Sequence, residues 1–439
     1  MAILNPTPSG SAATPLEGSS PVVGRRRMSP TWFDVVLFGS SAAFALLAAF
    51  GSSIPLYRQW GQIAFGPYVL ATAGAMALAV RARRRDVVRL RTWLTVFAIV
   101  GTAVIPMVLE VAWRFEVAPQ SLHVQPEVVT VERAAGFVAH GHDPYRAHVV
   151  DGRLLNPAPG LPAYESFFPY LPAMTVFGLP AATPLDHRVT DARIYFMAGT
   201  LVVVGAALVL APGSRDRRLR ALQVAVALPW ATLTMATGGD DLPIVGFLLL
   251  AMVLAQRRRP GWAGIVLGVV SAMKFTAWPL AALALFAARD ASGRRVPIRL
   301  AAGIIAVAAP LVVIALIADQ TAFFANVVAF PLGLSGVPSP AGSALPGHII
   351  VTVFPGIHRV FPVVTAAIGG VALLWYLVRR PPTDAVAVCR VAGWVLLAAI
   401  LLAPATRVGY LIYPLNFFVW SWMLSSAEDN MLPVTTTAS

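Results

Sequence analysis

The sequence predicts an all-α, polytopic integral membrane protein, and three observations carry that prediction. Of the 439 residues, 57% are hydrophobic and only 12% charged, and apolar runs recur from Trp32 to Leu424, far more than one soluble core uses. Several runs are long enough to cross roughly 30 Å of hydrocarbon as helices, and none alternates like a lipid-facing barrel strand. The basic residues, 32 arginines and one lysine, gather in short clusters between the runs, where they act as orientation signals.

The formal net charge of +13 comes without a basic domain interleaved with aromatics, so membrane lipids, and not nucleic acid, are the expected partners. The single cysteine, Cys389, lies inside a predicted span and permits no internal disulfide. Residues 1–30, rich in Pro, Ser, Thr and Gly, read as a disordered cytoplasmic tail ending near Arg25, Arg26 and Arg27. The apolar stretch that follows exceeds a signal-peptide core, so cleavage is not expected. A single membrane domain is predicted over 31–424, with about 11–13 membrane segments, followed by a disordered C-terminal tail over 425–439.

The first spans are predicted at 32–54, 61–80 and 92–112. The loop RARRRDVVRLR belongs in the cytoplasm by the positive-inside rule, so the third span exits outward. Residues 113–166 then form the longest polar loop, holding Glu116, Glu127, Glu132, Asp143, Asp151 and Glu165, and this loop is the first place to look for chemistry. Within it Val128, Val131, Ala135 and Val138 share one helical face, as expected of a short helix lying on the membrane surface, begun by Pro126. Gly141 stops that helix, and GHDPY is a turn.

The apolar run FFPYLPAMTVFGLP, 167–180, is short and broken by prolines, which leaves its crossing open. If it does not cross, 194–212 runs inward, 221–237 outward and 242–256 inward again, and the arginines at 215–220 and 257–259 are both cytoplasmic. Arginines also flank 261–288 on both sides, which requires a hairpin with arms of about 13 residues, roughly 20 Å of helix against a core of roughly 30 Å. Lys274 at its tip would stop inside the membrane, where a charge is held only within protein or beside a water-filled cavity. The plainer alternative is one tilted span whose lysine pairs with a buried carboxylate. Later spans are predicted at 300–318, 360–378, 385–402 and 410–424, with 319–359 and LAPATRVGY outside. No internal sequence repeat is visible.

In chain order, Glu127 leading into the surface helix, GHDPY, FFPYLP, GGDDLP, SAMKFTAWP and LAPATRVGYLIYP together resemble glycosyltransferase family 87. This family of the GT-C superfamily includes the polyprenyl-phosphate-mannose-dependent mannosyltransferases that build phosphatidylinositol mannosides in actinobacteria. The resemblance covers 113–424 and rests on the order and spacing of the motifs. It implies a GT-C-like helical bundle with a large first catalytic outer loop, in the plasma membrane. The implied reaction moves one hexose from a polyprenyl-phosphate sugar donor to a lipid or glycan acceptor at the outer face, with inversion. Where the family usually has Asp followed by a tyrosine, this chain has PEVVTVER, so Glu127 carries its carboxylate one methylene further out and Val131 replaces the aromatic.

Such a reaction needs a carboxylate to deprotonate the acceptor and positive charge on the departing phosphate. Glu127 is the expected base, with Glu116 and Asp143 as substitutes, although a Pro–Glu pair also suits the first turn of any helix. Lys274 and Arg407 would hold the donor phosphate, as a point charge and as a bidentate fork, while Arg407 at a helix end could equally snorkel. Asp240 and Asp241 would contact sugar or acceptor, or simply cap the next helix. His348, Tyr145 and Tyr170 complete the expected substrate contacts. No zinc-type Cys or His spacing, P-loop or Rossmann glycine pattern occurs, so neither cofactor nor metal is called for. A transporter or flippase would spread such charges along both half-channels, whereas here they gather on the predicted outer side, which favours an enzyme. A non-catalytic glycolipid-binding protein is the remaining alternative.

Overall fold

The computed structural model describes residues 29–81, 87–117 and 120–429. Most of the predicted N-terminal tail, the centre of the first arginine loop and the last ten residues lie outside the described residues. Seven helices among them are long and apolar enough to cross a membrane: α1 (Pro30–Gly51), α2 (Pro55–Arg81), α3 (Val87–Glu116), α5 (Ala192–Leu210), α11 (Pro297–Ala318), α12 (Val360–Arg379) and α13 (Ala385–Leu402). Between α3 and α5 lies α4 (Pro126–Ala139). The pair α6 (Arg215–Ala227) and α7 (Pro229–Thr237), bent by 46°, makes an eighth span if counted as one. Three shorter apolar helices follow: α8 (Asp241–Gln256), α9 (Pro260–Ser271) and α10 (Phe275–Ala287). The last helix, α14 (Ile412–Asp429), continues past the predicted end at residue 424. The protein is an all-α, multi-pass membrane protein.

Proline and small polar caps start many of these helices. Pro30 follows the Ser29 cap of α1, and Pro126, Pro229, Pro260 and Pro297 open α4, α7, α9 and α11. The fixed proline φ suits a first turn, whose N–H groups lack helical partners in any case. The apolar faces of α1 and α2 pack closely enough that Gly61 lies against the backbone of Ala49. In contrast α12 buries none of its residues in the protein, as expected of a helix surrounded by lipid.

The helix ends sort into two groups. At one end Arg91 pairs with Asp34 and Asp216, and Arg220 pairs with Asp34 at 2.6 Å, tying together the starts of α1, α3 and α6. Arg217 reaches the Trp422 carbonyl on α14, and Arg289 reaches the Thr383 carbonyl before α13, at 3.0 and 3.2 Å. This is the arginine-rich end. The opposite end holds the polar loops. There residues 167–180 do not form a helix that crosses; they fold into 3₁₀ turns at Pro172–Phe177 and Leu179–Ala182. A two-stranded hairpin, β1 (His148–Val150) and β2 (Arg153–Leu155), also lies there, and the sequence pattern does not announce it.

The hairpin expected over 261–288 forms: α9 rises, Lys274 adopts an extended conformation (φ −153°, ψ 137°), and α10 returns. Its two feet meet, since the Gly293 turn lies against the Arg258 guanidinium. The break at the tip would leave backbone groups unpaired at membrane depth, a costly state. The 3₁₀ segment closes it, because the Leu171 and Ala173 N–H groups donate to the Met273 and Ala272 carbonyls at 2.9 Å each. One expectation is corrected for α4. Its face of Val128, Val131 and Ala135 is buried in protein instead of lying on a membrane surface, with Gly178 packed on the Val131 backbone, while Val138 is exposed.

Candidate active site

Five charged side chains from four segments meet at the end opposite the arginine clusters. Glu127 stands in the first turn of α4, directly after Pro126, and accepts from the Arg407 guanidinium. Its second oxygen, Oε2, is buried and has no hydrogen-bond partner among the described residues. Arg407 is held by backbone on both sides: the Thr406 N–H donates to the Ala341 carbonyl at 2.9 Å, and the Val408 N–H to Ser343 Oγ at 3.0 Å. Lys274 at the hairpin tip places Nζ 2.9 Å from Asp240 Oδ1 and 2.7 Å from Asp241 Oδ1. Tyr413 donates to the same Asp241 oxygen at 2.7 Å, and the Tyr170 ring lies 5.3 Å from Nζ.

Local backbone explains how Asp240 and Asp241 arrive there. Gly238 ends α7 in the left-handed region (φ 102°), a conformation glycine adopts without a Cβ penalty. A side chain at this position would also collide with Val128 and Arg193. Asp240 then caps α8 by position and Asp241 enters its first turn. Gln125, just before α4, stitches the two segments together: its N–H donates to the Thr237 carbonyl at 3.1 Å, and Nε2 reaches Thr237 Oγ1 at 2.7 Å and Tyr57 Oη at 3.0 Å. Hydrogen bonds therefore tie the start of the Glu127 helix to the GGDD turn.

Three carboxylates face two cations, so the fully ionised cluster carries one net negative charge. Tyr410, Tyr57 and Tyr170 lie within electrostatic reach of Arg407. Burial, reinforced by Asp240 and Glu127, raises the Tyr170 pKa and keeps that hydroxyl protonated. Glu165, also close to Glu127, has its pKa raised by burial against the opposing influence of Tyr164 and Arg133.

Of the residues expected to act here, the structure brings together Glu127, Lys274, Arg407, Asp240, Asp241 and Tyr170. Lys274 pairs with two carboxylates, as the plainer reading of that lysine has it, but at the tip of a hairpin and not on one tilted span. The remaining four are placed elsewhere. Glu116 pairs with Arg188 at 3.1 Å on the surface, both about half exposed. Asp143 uses Oδ1 to cap the Tyr145 N–H at 3.0 Å, and burial raises its pKa. Tyr145 is buried and donates to the Tyr170 carbonyl at 2.8 Å, so it supports that segment from behind. His348 Nδ1 lies 2.8 Å from the Pro404 carbonyl and braces the irregular segment leading to Arg407. Sequence reasoning missed Gln125, Tyr57 and Tyr413. Tyr413 sits inside LAPATRVGYLIYP, six residues after Arg407, and was legible as a polar residue in an apolar helix start.

These features define a multi-pass membrane protein with a buried ionic site at one end of its helical bundle. The glycosyltransferase family 87 model matches residues 168–404, more than half of the chain, and the protein belongs to that family of membrane glycosyltransferases. The matched region contains Asp240, Asp241 and Lys274, while Glu127 precedes it and Arg407 follows it. No curated protein and no solved structure matches the chain.

Proposed function

We propose that the protein transfers a hexose, mannose, from a polyprenyl-phosphate carrier to a hydroxyl of a lipid or glycan acceptor, with inversion, at the extracytoplasmic face of the plasma membrane. The observation that supports this reading most is the convergence of Glu127, Arg407, Lys274, Asp240 and Asp241 at the end opposite the arginine clusters. By the positive-inside rule the arginine-rich end is cytoplasmic, which turns the five charges outward.

In this reading Glu127 Oε2 takes the proton of the acceptor hydroxyl as its oxygen bonds to the anomeric carbon. The bond from that carbon to the phosphate oxygen breaks, and its electron pair leaves with the polyprenyl phosphate, whose negative charge grows by one. Lys274 and Arg407 stabilise that growing charge. The resting pairs explain how the base is kept in reserve. A site with net negative charge repels an anionic donor until the phosphate takes Arg407 over from Glu127, and the same exchange frees the carboxylate to act. Asp240 Oδ2, buried and without a hydrogen-bond partner among the described residues, would accept from a sugar hydroxyl.

The test is transfer of radiolabel from polyprenyl-phosphate-mannose to extracted total lipid by the purified full-length protein. Polyprenyl-phosphate-glucose and a nucleotide sugar serve as competing donors. Label moving only from the nucleotide sugar would overturn the carrier, and faster transfer of glucose would overturn the sugar.

A further inference from the structure

A second polar feature lies at the arginine-rich end. Arg257, Arg258 and Arg259 form the turn between α8 and α9, and their N–H groups close the C-terminus of α8 on the Val253, Ala255 and Leu254 carbonyls at 3.0, 2.9 and 2.9 Å. Arg258 takes a left-handed φ of 56° and has its guanidinium against the Gly293 turn. Arg257 and Arg259 are used differently. With Leu210, Leu254 and Trp262 they line a cavity of about 460 Å³ that no carboxylate enters. Among the described residues neither guanidinium has a hydrogen-bond or ion-pair partner.

Two unpaired guanidinium groups in one concavity call for an anion, and the fork of each matches phosphate oxygens. The rest of the wall calls for a lipid. Leu210 and Leu254 end apolar helices, and the Trp262 ring is 63% exposed. An amphipathic ring at a helix end beside arginines is the usual marker of the headgroup level of a bilayer. Val209, at 76% exposed, extends the apolar surface from the cavity along α5, where an acyl chain would lie.

We propose that this cavity binds an anionic phospholipid, its headgroup phosphate between Arg257 and Arg259 and an acyl chain along Leu210, Leu254 and Trp262. The site is separate from the Glu127 cluster and does not rest on the transfer reaction. Arg258 supplies an internal control, because it carries the same charge on the same turn but does not line the cavity.

The experiment is titration of the purified full-length protein, held in phosphatidylcholine nanodiscs, with phosphatidylglycerol, read by native mass spectrometry of the retained lipid. A juxtamembrane arginine contributes about 1 kcal/mol, so losing two weakens binding roughly 30-fold and losing one roughly fivefold. Arg257→Gln/Arg259→Gln is expected to show the larger loss and each single variant the smaller, with Arg258→Gln unchanged. The single variants keep the test open if the double variant fails to fold. A loss in Arg258→Gln equal to that in Arg257→Gln or Arg259→Gln would mean diffuse surface charge and would overturn the site. Unchanged retention in both single variants would overturn it too, and complete displacement by inorganic phosphate would overturn the lipid in favour of a free anion.

Discussion

Arg407 and Glu127, 280 residues apart in the chain, form an ion pair that joins the first turn of α4 to the segment leading into α14. Each residue is thereby the other's partner before any substrate arrives. A cation expected to hold phosphate and a carboxylate expected to act as base neutralise one another, while Lys274 is shared between Asp240 and Asp241. A partly buried pair of this kind contributes little net stability but makes removal of either member expensive. In the proposed reaction the pair's value lies in exchange: the anion that takes Arg407 would release Glu127.

Sidedness is the first consequence open to test. In a Cys389→Ala background, Arg153→Cys on the exposed β2 strand should react with a membrane-impermeant maleimide in intact cells. Ser292→Cys, on the exposed turn at the foot of the hairpin, should react only after permeabilisation. The reverse pattern would invert the protein and remove the extracytoplasmic reaction.

Lys274→Ala leaves Asp240, only 2% exposed, and Asp241 facing each other without a counter-charge. Breaking a buried pair in this way costs about 3–5 kcal/mol, so the variant should lose thermal stability as well as transfer. Lys274→Met combined with Asp240→Asn removes one charge of each sign and should recover most of the stability. Transfer should stay absent. Recovery of both together would return Lys274 to a structural role.

Gly238→Ala tests the unit that holds the GGDD turn to α4. The substitution forces a left-handed alanine into space occupied by Val128 and Arg193. Strain and overpacking together should destabilise the protein by about 2–4 kcal/mol. Because Gly238 lies two residues before Asp240 and the displaced Val128 directly follows Glu127, kcat should fall even where the protein remains folded. A variant of native stability and full turnover would show that the two segments are not coupled.

Asp143 offers a pH-dependent contrast. Burial raises its pKa, so the folded state favours the neutral carboxyl, and the penalty for the charged form is absent below the ordinary carboxylate pKa and complete above the raised one. Asp143→Asn retains the oxygen that caps the Tyr145 N–H and removes that penalty. Its melting temperature should exceed that of the parent at pH 7, and the difference should vanish as the pH falls toward 4. Transfer should be unaffected, since Asp143 stands apart from the Glu127 cluster.

Much of this arrangement was legible because membrane segments obey few rules. Arginines on both flanks of 261–288 require a return, and the contact of Gly293 with Arg258 shows the return made. Lys274 was conspicuous as a lone lysine in an apolar run. What could not be read depends on contacts between distant segments. Residues 167–180 have the apolarity of a span; their prolines leave the crossing open, and the bonds from Leu171 and Ala173 to the broken hairpin show where the segment's backbone groups go instead. Asp143, Tyr145 and His348 have the composition of ligand-binding residues, and each makes a hydrogen bond to backbone. Polarity in an outer loop does not distinguish a side chain that faces a substrate from one that braces the chain.

The sharpest test falls on Glu127. Glu127→Gln preserves shape and leaves an oxygen for Arg407, but it cannot accept a proton, so kcat should fall by roughly 10²- to 10⁴-fold. The ion pair adds a second readout that a purely structural glutamate would not produce. With the charge on residue 127 gone, Arg407 no longer has to be drawn away from a carboxylate, and KM for the anionic donor should fall together with kcat. Arg407→Gln should do the opposite, raising KM for the donor because the cation that receives the phosphate is lost. Glu127→Asp retracts the carboxylate by one methylene, so it should weaken the pair and return intermediate turnover. Glu165→Gln is the control, a buried neighbouring carboxyl that does not touch Arg407. If Glu165→Gln abolishes transfer while Glu127→Gln keeps full turnover, the base is Glu165 and the role of Glu127 is to hold Arg407. If Glu127→Gln lowers kcat but raises KM for the donor, the carboxylate helps to bind the carrier, and the exchange of Arg407 between Glu127 and phosphate does not occur.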